Sequence, residues 1–163
     1  MTADMILKKP SPTEAADIVA IQQLAVSYAE AVSRGEVGEA VLAYAPDGVL
    51  ETPTTAPAVG RDAIEKTISA AVASLEFVFQ TVHLGLVNVH DEGHASARFQ
   101  ITEWARRRAD GAGMLFLGYY DDEVVQLADG WRFSRRHLVP RTLGRPPFLT
   151  GAVHDLSALR TEL

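Results

Sequence analysis

The chain has 163 residues, 47% hydrophobic and 22% charged, with a formal net charge of −6 and no cysteine. That is enough for one domain with a real core, and its composition is ordinary for a globular protein, so disorder is expected only at the ends. The charge argues against nucleic acid as a partner, and the missing cysteines exclude disulfides, thiolate catalysis and cysteine-type zinc sites. No apolar run is long enough to span a membrane, and the opening MTADMILKKPSP lacks a signal-peptide core. No membrane partner and a cytoplasmic location are therefore expected.

Residues 1–11 read as a flexible leader. Ser11-Pro12-Thr13-Glu14 is a helix start: a serine N-cap, proline at the first helical position and a glutamate that can reach back. Apolar residues then recur at helical spacing from Ile18 through Ile21, Leu24, Ala25, Tyr28 and Ala31 to Val32, and Gly35 terminates the run. A second helix is predicted from Glu36 to about Tyr44. Pro46-Asp47-Gly48 turns the chain into a short strand, Val49 to Thr52. Residues 53–60 read as a loop, and a third helix spans about Arg61 to Leu75.

From there the periodicity becomes strand-like. Phe77 to His90 reads as one strand with a bend near Gly85. Asp91-Glu92-Gly93 is a turn, His94 to Arg108 the next strand, and Asp110-Gly111 the next turn. Met114–Leu127 and Trp131–Pro140 then form a long hairpin across Ala128-Asp129-Gly130. Helices first and a meander of long strands after them define an α+β domain over residues 12–141. A curved antiparallel or mixed sheet would wrap the N-terminal helices as a cone around a central apolar pocket. Residues 142–163 form a tail. The basic run Arg106-Arg107-Arg108 at a strand end reads as a solvated edge that resists strand pairing.

The strand from His94 carries the clearest chemical signal. Its apolar alternation set is Ala95, Ala97, Phe99, Ile101, Glu103 and Ala105. Glu103 therefore points inward, where a carboxylate either has a raised pKa or pairs with an inward arginine. One of Arg135 and Arg136 must point inward if their strand alternates. His83 lies mid-strand between Val82 and Leu84, and Tyr28 lies on the apolar face of the first helix; each is a candidate site residue or a core residue. The histidine spacings form no metal site, and no phosphate loop or serine elbow is present.

The element order resembles the SnoaL-like family of the nuclear-transport-factor-2-like superfamily. The matching residues are Ile21-Gln22-Gln23-Leu24, Gly60-Arg61-Asp62-Ala63-Ile64, Val82-His83-Leu84-Gly85, Gly118-Tyr119-Tyr120-Asp121-Asp122 and Asp129-Gly130-Trp131-Arg132-Phe133-Ser134-Arg135-Arg136. The likeness covers roughly residues 12 to 141. It is strongest to hexachlorocyclohexane dehydrochlorinase and bile acid 7α-dehydratase, with scytalone dehydratase further off. The resemblance implies a cofactor-free lyase, isomerase or cyclase acting on a small, largely apolar steroid-, terpenoid- or polyketide-like ring compound, in a homodimer or homotrimer. It also implies a catalytic set of His83, Glu103, Tyr28 and Arg136: proton transfer at His83, Tyr28 on a substrate oxygen, and Arg136 on developing negative charge. Glu103 would orient His83 or act as base itself, because Ser33 stands where the lyases carry the aspartate that pairs with the histidine. Ser33, Phe99, Ile101, Leu117 and Tyr120 are expected to contact substrate. Non-catalytic binders and small subunits of ring-hydroxylating oxygenases share the fold, and either role is an alternative.

Overall fold

The computed structural model describes residues 9–90, 93–147, 149–154, 156 and 159. Most of the expected leader, Asp91 and Glu92 of the expected turn, and part of the expected tail lie outside the described residues.

Helix α1 (Pro12–Arg34) begins as its sequence dictates. Ser11 Oγ accepts from the Glu14 amide at 3.2 Å, and Glu14 Oε2 accepts from the Ser11 amide at 2.8 Å. Gly35 closes the helix at φ +78°, a conformation that costs glycine little. Ile21, Ala25, Tyr28, Ala31 and Val32 form its buried face.

Helix α2 (Val37–Val41) is shorter than expected, because Tyr44 already belongs to strand β1 (Tyr44–Glu51). The expected Pro46-Asp47-Gly48 turn lies inside β1 as an irregularity in its register. Proline has no amide to give a ladder, so the strand tolerates it only at such an interruption. The expected loop after β1 includes a two-residue strand, β2 (Ala58–Val59), and leads to helix α3 (Arg61–Ala73).

The remaining strands are β3 (Leu75–Val82), β4 (Leu86–Val89), β5 (His94–Arg107), β6 (Gly113–Leu127) and β7 (Gly130–Gly144). They form one curved mixed sheet in the order β2-β1-β7-β6-β5-β3, with β4 also paired to β5. β1 runs parallel to β7, and the other pairs are antiparallel.

Two register shifts decide which side chains face the helices. The single strand expected from Phe77 to His90 is two. Val82 faces Ile101 but Leu86 faces Arg98, so four steps on one strand span three on its partner. The cause is Gly85: a Cβ there would lie 2.2 Å from the Phe99 ring, so the backbone itself packs on the aromatic. The second shift is in β7. Val124 faces Phe133 while Glu123 faces Arg135, leaving Ser134 as an extra residue. That bulge points both Phe133 and Arg136 inward, which strict alternation forbids.

The basic run at the end of β5 is not a free solvated edge. Arg106 is buried, pairs with Glu76 at 2.6 Å, and donates to the carbonyls of Leu149 and Gly151. Arg108 donates to the Leu75 carbonyl at 2.7 Å. The Arg106 contacts fasten residues 149–151 of the tail to β5. A buried guanidinium needs several acceptors at once, and here they come from backbone far along the chain.

Candidate active site

The sheet and helices α1 and α3 enclose a cavity of about 160 Å³. Its walls are mostly apolar, with Val32, Leu50, Ile68, Val72 and Val78 among them. Tyr28, Gln80, Glu103 and Tyr120 form its main polar group. A larger groove of about 820 Å³ shares Val72, Leu75 and Val78 with it. The groove's charged residues are already engaged: Arg34 with Glu30 and Glu39, Glu76 with Arg106, and Arg108 with backbone. The small cavity holds a carboxyl that has no cationic partner among the described residues, and it is the candidate site.

Glu103 reaches the cavity because β5 alternates as expected. Ala95, Ala97, Phe99, Ile101 and Ala105 are buried on the inner face that the half-buried Glu103 shares. Across the ladder Glu103 faces Gln80 on β3 and Phe116 on β6. Gln80 Nε2 donates to Glu103 Oε2 at 2.8 Å, and Tyr120 Oη donates to Gln80 Oε1 at 3.3 Å. Burial pushes the Glu103 carboxyl above the usual carboxylate range, and the Gln80 hydrogen bond pulls part of the way back. The expected alternative, an ion pair with an inward arginine, is not what forms.

That arginine, Arg136, is 0% exposed and pairs with Asp122 through two bonds of 2.9 and 2.7 Å. Its guanidinium carbon lies 4.6, 3.9 and 3.7 Å from the ring centres of Tyr28, Tyr120 and Phe133. The rings of Tyr28, Tyr44, Tyr120 and Phe133 meet edge to face around it. Arg136 is therefore behind the aromatic wall and does not line the cavity. Its charge acts through the wall. Burial raises the Tyr28 phenol above its ordinary value, while Arg136 and the hydroxyls of Tyr44 and Tyr120 oppose the rise. Arg136 Nη1 is buried without a hydrogen-bond partner among the described residues.

His83 does not join this group. Three steps beyond inward Gln80, it points to the outer face of the sheet, where it is exposed and its Nε2 lies 3.0 Å from Thr102 Oγ1. It shares a depression of about 190 Å³ with Thr102, Tyr119 and Arg141. The expectation of a histidine beside Glu103 and Arg136 is corrected by the strand's own alternation. Leu117, facing Thr102 across the ladder, lies on the same outer face. Phe99 and Ile101 are core residues at 1% and 2% exposure, and neither lines the cavity. Ser33 is likewise outside it: its Oγ donates to the Ala29 carbonyl and accepts the Gln80 amide, both at 2.8 Å. Of the expected set, Tyr28, Glu103 and Tyr120 converge.

Gln80 and Asp122 were absent from the expected set, although alternation reaches both. Gln80 lies one step beyond Phe79 and faces inward with Val78. Asp122 shares its face with Tyr120 and Val124. Among the described residues no cluster of three or more acidic or histidine side chains could hold a metal.

A mixed, unclosed sheet curled over N-terminal helices, with a polar group buried at its centre, defines an α+β cone of the nuclear-transport-factor-2-like type. Residues 13–137 match the SnoaL-like domain, and the chain belongs to that family. The uncharacterized protein Rv2910c of Mycobacterium tuberculosis is 30% identical over 129 residues, covering 77% of this chain and 86% of that protein. Among solved structures, a candidate scytalone dehydratase from Novosphingobium aromaticivorans superposes with a TM-score of 0.76 at 19% identity, over 91% of this chain and 98% of that one. Hexachlorocyclohexane dehydrochlorinase type 3 from Novosphingobium barchaimii does so with a TM-score of 0.76 at 12% identity, over 83% and 93%. At these identities the structural likeness establishes the fold alone.

Proposed function

We propose that the protein is a lyase, isomerase or cyclase whose acid–base residue is Glu103. The observation that carries this reading is a carboxyl with no cationic partner on the wall of a mostly apolar cavity, held through one oxygen only. Gln80 occupies Oε2. Oε1, which takes no part in that bond, is the oxygen left to move a proton. A half-buried carboxyl with a raised pKa is suited to exchange protons with a weakly acidic carbon. The C–H bond breaks toward Glu103, and the electron pair moves into an adjacent carbonyl or expels a leaving group. Tyr28, its phenol kept protonated by burial, donates to the oxygen on which negative charge grows.

The cavity also narrows the substrate. An apolar hollow of about 150 Å³ admits benzene, so 160 Å³ suits a single ring rather than a fused steroid. The supporting likenesses are to a dehydrochlorinase and a candidate dehydratase. The test is a panel of monocyclic β-hydroxy ketones, cyclohexenones and halogenated rings. Glu103→Gln is expected to lose about 10²–10⁴-fold in kcat, and Tyr28→Phe about 10²-fold. Turnover by Glu103→Gln at the wild-type rate overturns the assignment.

A second reading, binding without catalysis, has its own support: the expected imidazole is outside the cavity and Ser33 is committed to the β3 backbone. It is favoured if panel members bind and none turns over in wild type.

A further inference from the structure

We infer that Gln80 is the positioning residue of the site: its side-chain amide is locked in one orientation so that it steers Glu103 and leaves a single carboxyl oxygen free. This deepens the assignment of Glu103 above and rests on it for the kinetic consequence only.

Three contacts hold Gln80, each from a different element. From α1, the Ser33 hydroxyl accepts the Gln80 backbone amide at 2.8 Å. Because β3 is an edge strand, that amide would otherwise lack a ladder partner on this side. Ser33 in turn donates to the Ala29 carbonyl, which fixes its own rotamer. From β6, the Tyr120 hydroxyl donates to Gln80 Oε1. Burial keeps the phenol protonated, so its hydroxyl has a proton to donate. With Oε1 committed as acceptor, Nε2 is obliged to face β5, where it donates to Glu103 Oε2 at 2.8 Å. Flipping the amide would set Oε1 against the Glu103 carboxylate, a repulsive contact, and would force the Tyr120 hydroxyl to turn from donor to acceptor. The carboxylate, which can only accept, sets the polarity of the amide, the hydroxyl completes it, and the amide commits Oε2 of Glu103.

Few other charges compete for control. The titratable groups that face Glu103 are the phenols of Tyr28 from α1 and Tyr120 from β6. Into the same cavity α3 presents Thr67, Ile68, Ala71 and Val72, β1 presents Leu50 and Thr52, and β7 presents Leu138. The Arg136–Asp122 pair is behind the rings.

The test follows the Glu103 carboxyl directly, by ¹³C NMR titration of full-length protein with Glu103→Gln as the assignment control. Removing the donor in Gln80→Met is expected to move the Glu103 midpoint to higher pH. Tyr120→Phe, which frees the amide to flip, is expected to move it the same way by less, and it stands as the independent variant if Gln80→Met does not fold. In the enzyme, Gln80→Met is expected to lower kcat about 10-fold, with KM within about 2-fold, and to carry the kcat–pH profile upward with the midpoint. A Glu103 midpoint unchanged or lowered in these variants overturns the inference. A midpoint that rises while Glu103→Gln retains full turnover upholds the role of Gln80 and overturns the catalytic assignment instead.

Discussion

At the scale of single residues, Glu103 carries both the proposed chemistry and a cost in stability. Its folded pKa lies above the value in an unfolded chain. The folded state therefore holds the proton more tightly, and ionising Glu103 opposes folding. That contribution favours the folded protein below the unfolded pKa and is lost as pH rises through the folded one. Glu103→Gln should match wild type in acid and become the more stable of the two as pH approaches neutrality. Urea unfolding of both proteins from about pH 4 to pH 7 checks this, and a difference independent of pH would contradict it. Asp122 behaves in the opposite way on removal. Asp122→Asn strands the Arg136 guanidinium, 0% exposed, without its counter-charge. It should cost about 3–5 kcal/mol in the same experiment. His83→Ala, on the outer face, should change stability by less than about 0.5 kcal/mol and leave turnover within about 2-fold.

At the scale of elements, the ends of α1 were legible and the register shifts were not. Ser11, Glu14 and Gly35 act locally, within a few residues of where they stand, so the ends of α1 could be read directly. The inward face of β5 was legible for a similar reason, since the clean alternation from His94 to Ile101 leaves one consistent assignment. The side of His83 and the pairing of Arg136 depend on partners 19 and 14 residues away. The pairing of Arg136 also depends on a one-residue shift at Ser134 that no local pattern announces. Gly85 was visible as a bend, but its cause, the Phe99 ring against bare backbone, is a tertiary contact. Gly85→Ala should therefore destabilise the fold by about 1–3 kcal/mol through overpacking, read as a lower denaturation midpoint with an unchanged m-value.

At the scale of the whole molecule, the architecture was readable because element order restricts an α+β chain of this length to few arrangements. The site was half readable. Strand alternation finds Glu103 and helical periodicity finds Tyr28, whereas the enclosure between them exists only once the sheet has curled over α1 and α3. That enclosure makes binding and stability inseparable. A ligand held at 100 times its Kd adds about 2.7 kcal/mol to the folded state. Single-ring compounds that fill the cavity should raise the melting temperature of wild type and His83→Ala alike.

The most direct measurement is a crystal structure of Glu103→Gln with a single-ring ketone or halide bound. The expected result is ring density between Tyr28, Ile68, Val72 and residue 103, with a polar ligand atom within hydrogen-bond reach of the freed side-chain position opposite Gln80. Density in the outer depression beside His83, Thr102 and Arg141, with the inner cavity collapsed or empty, would contradict it.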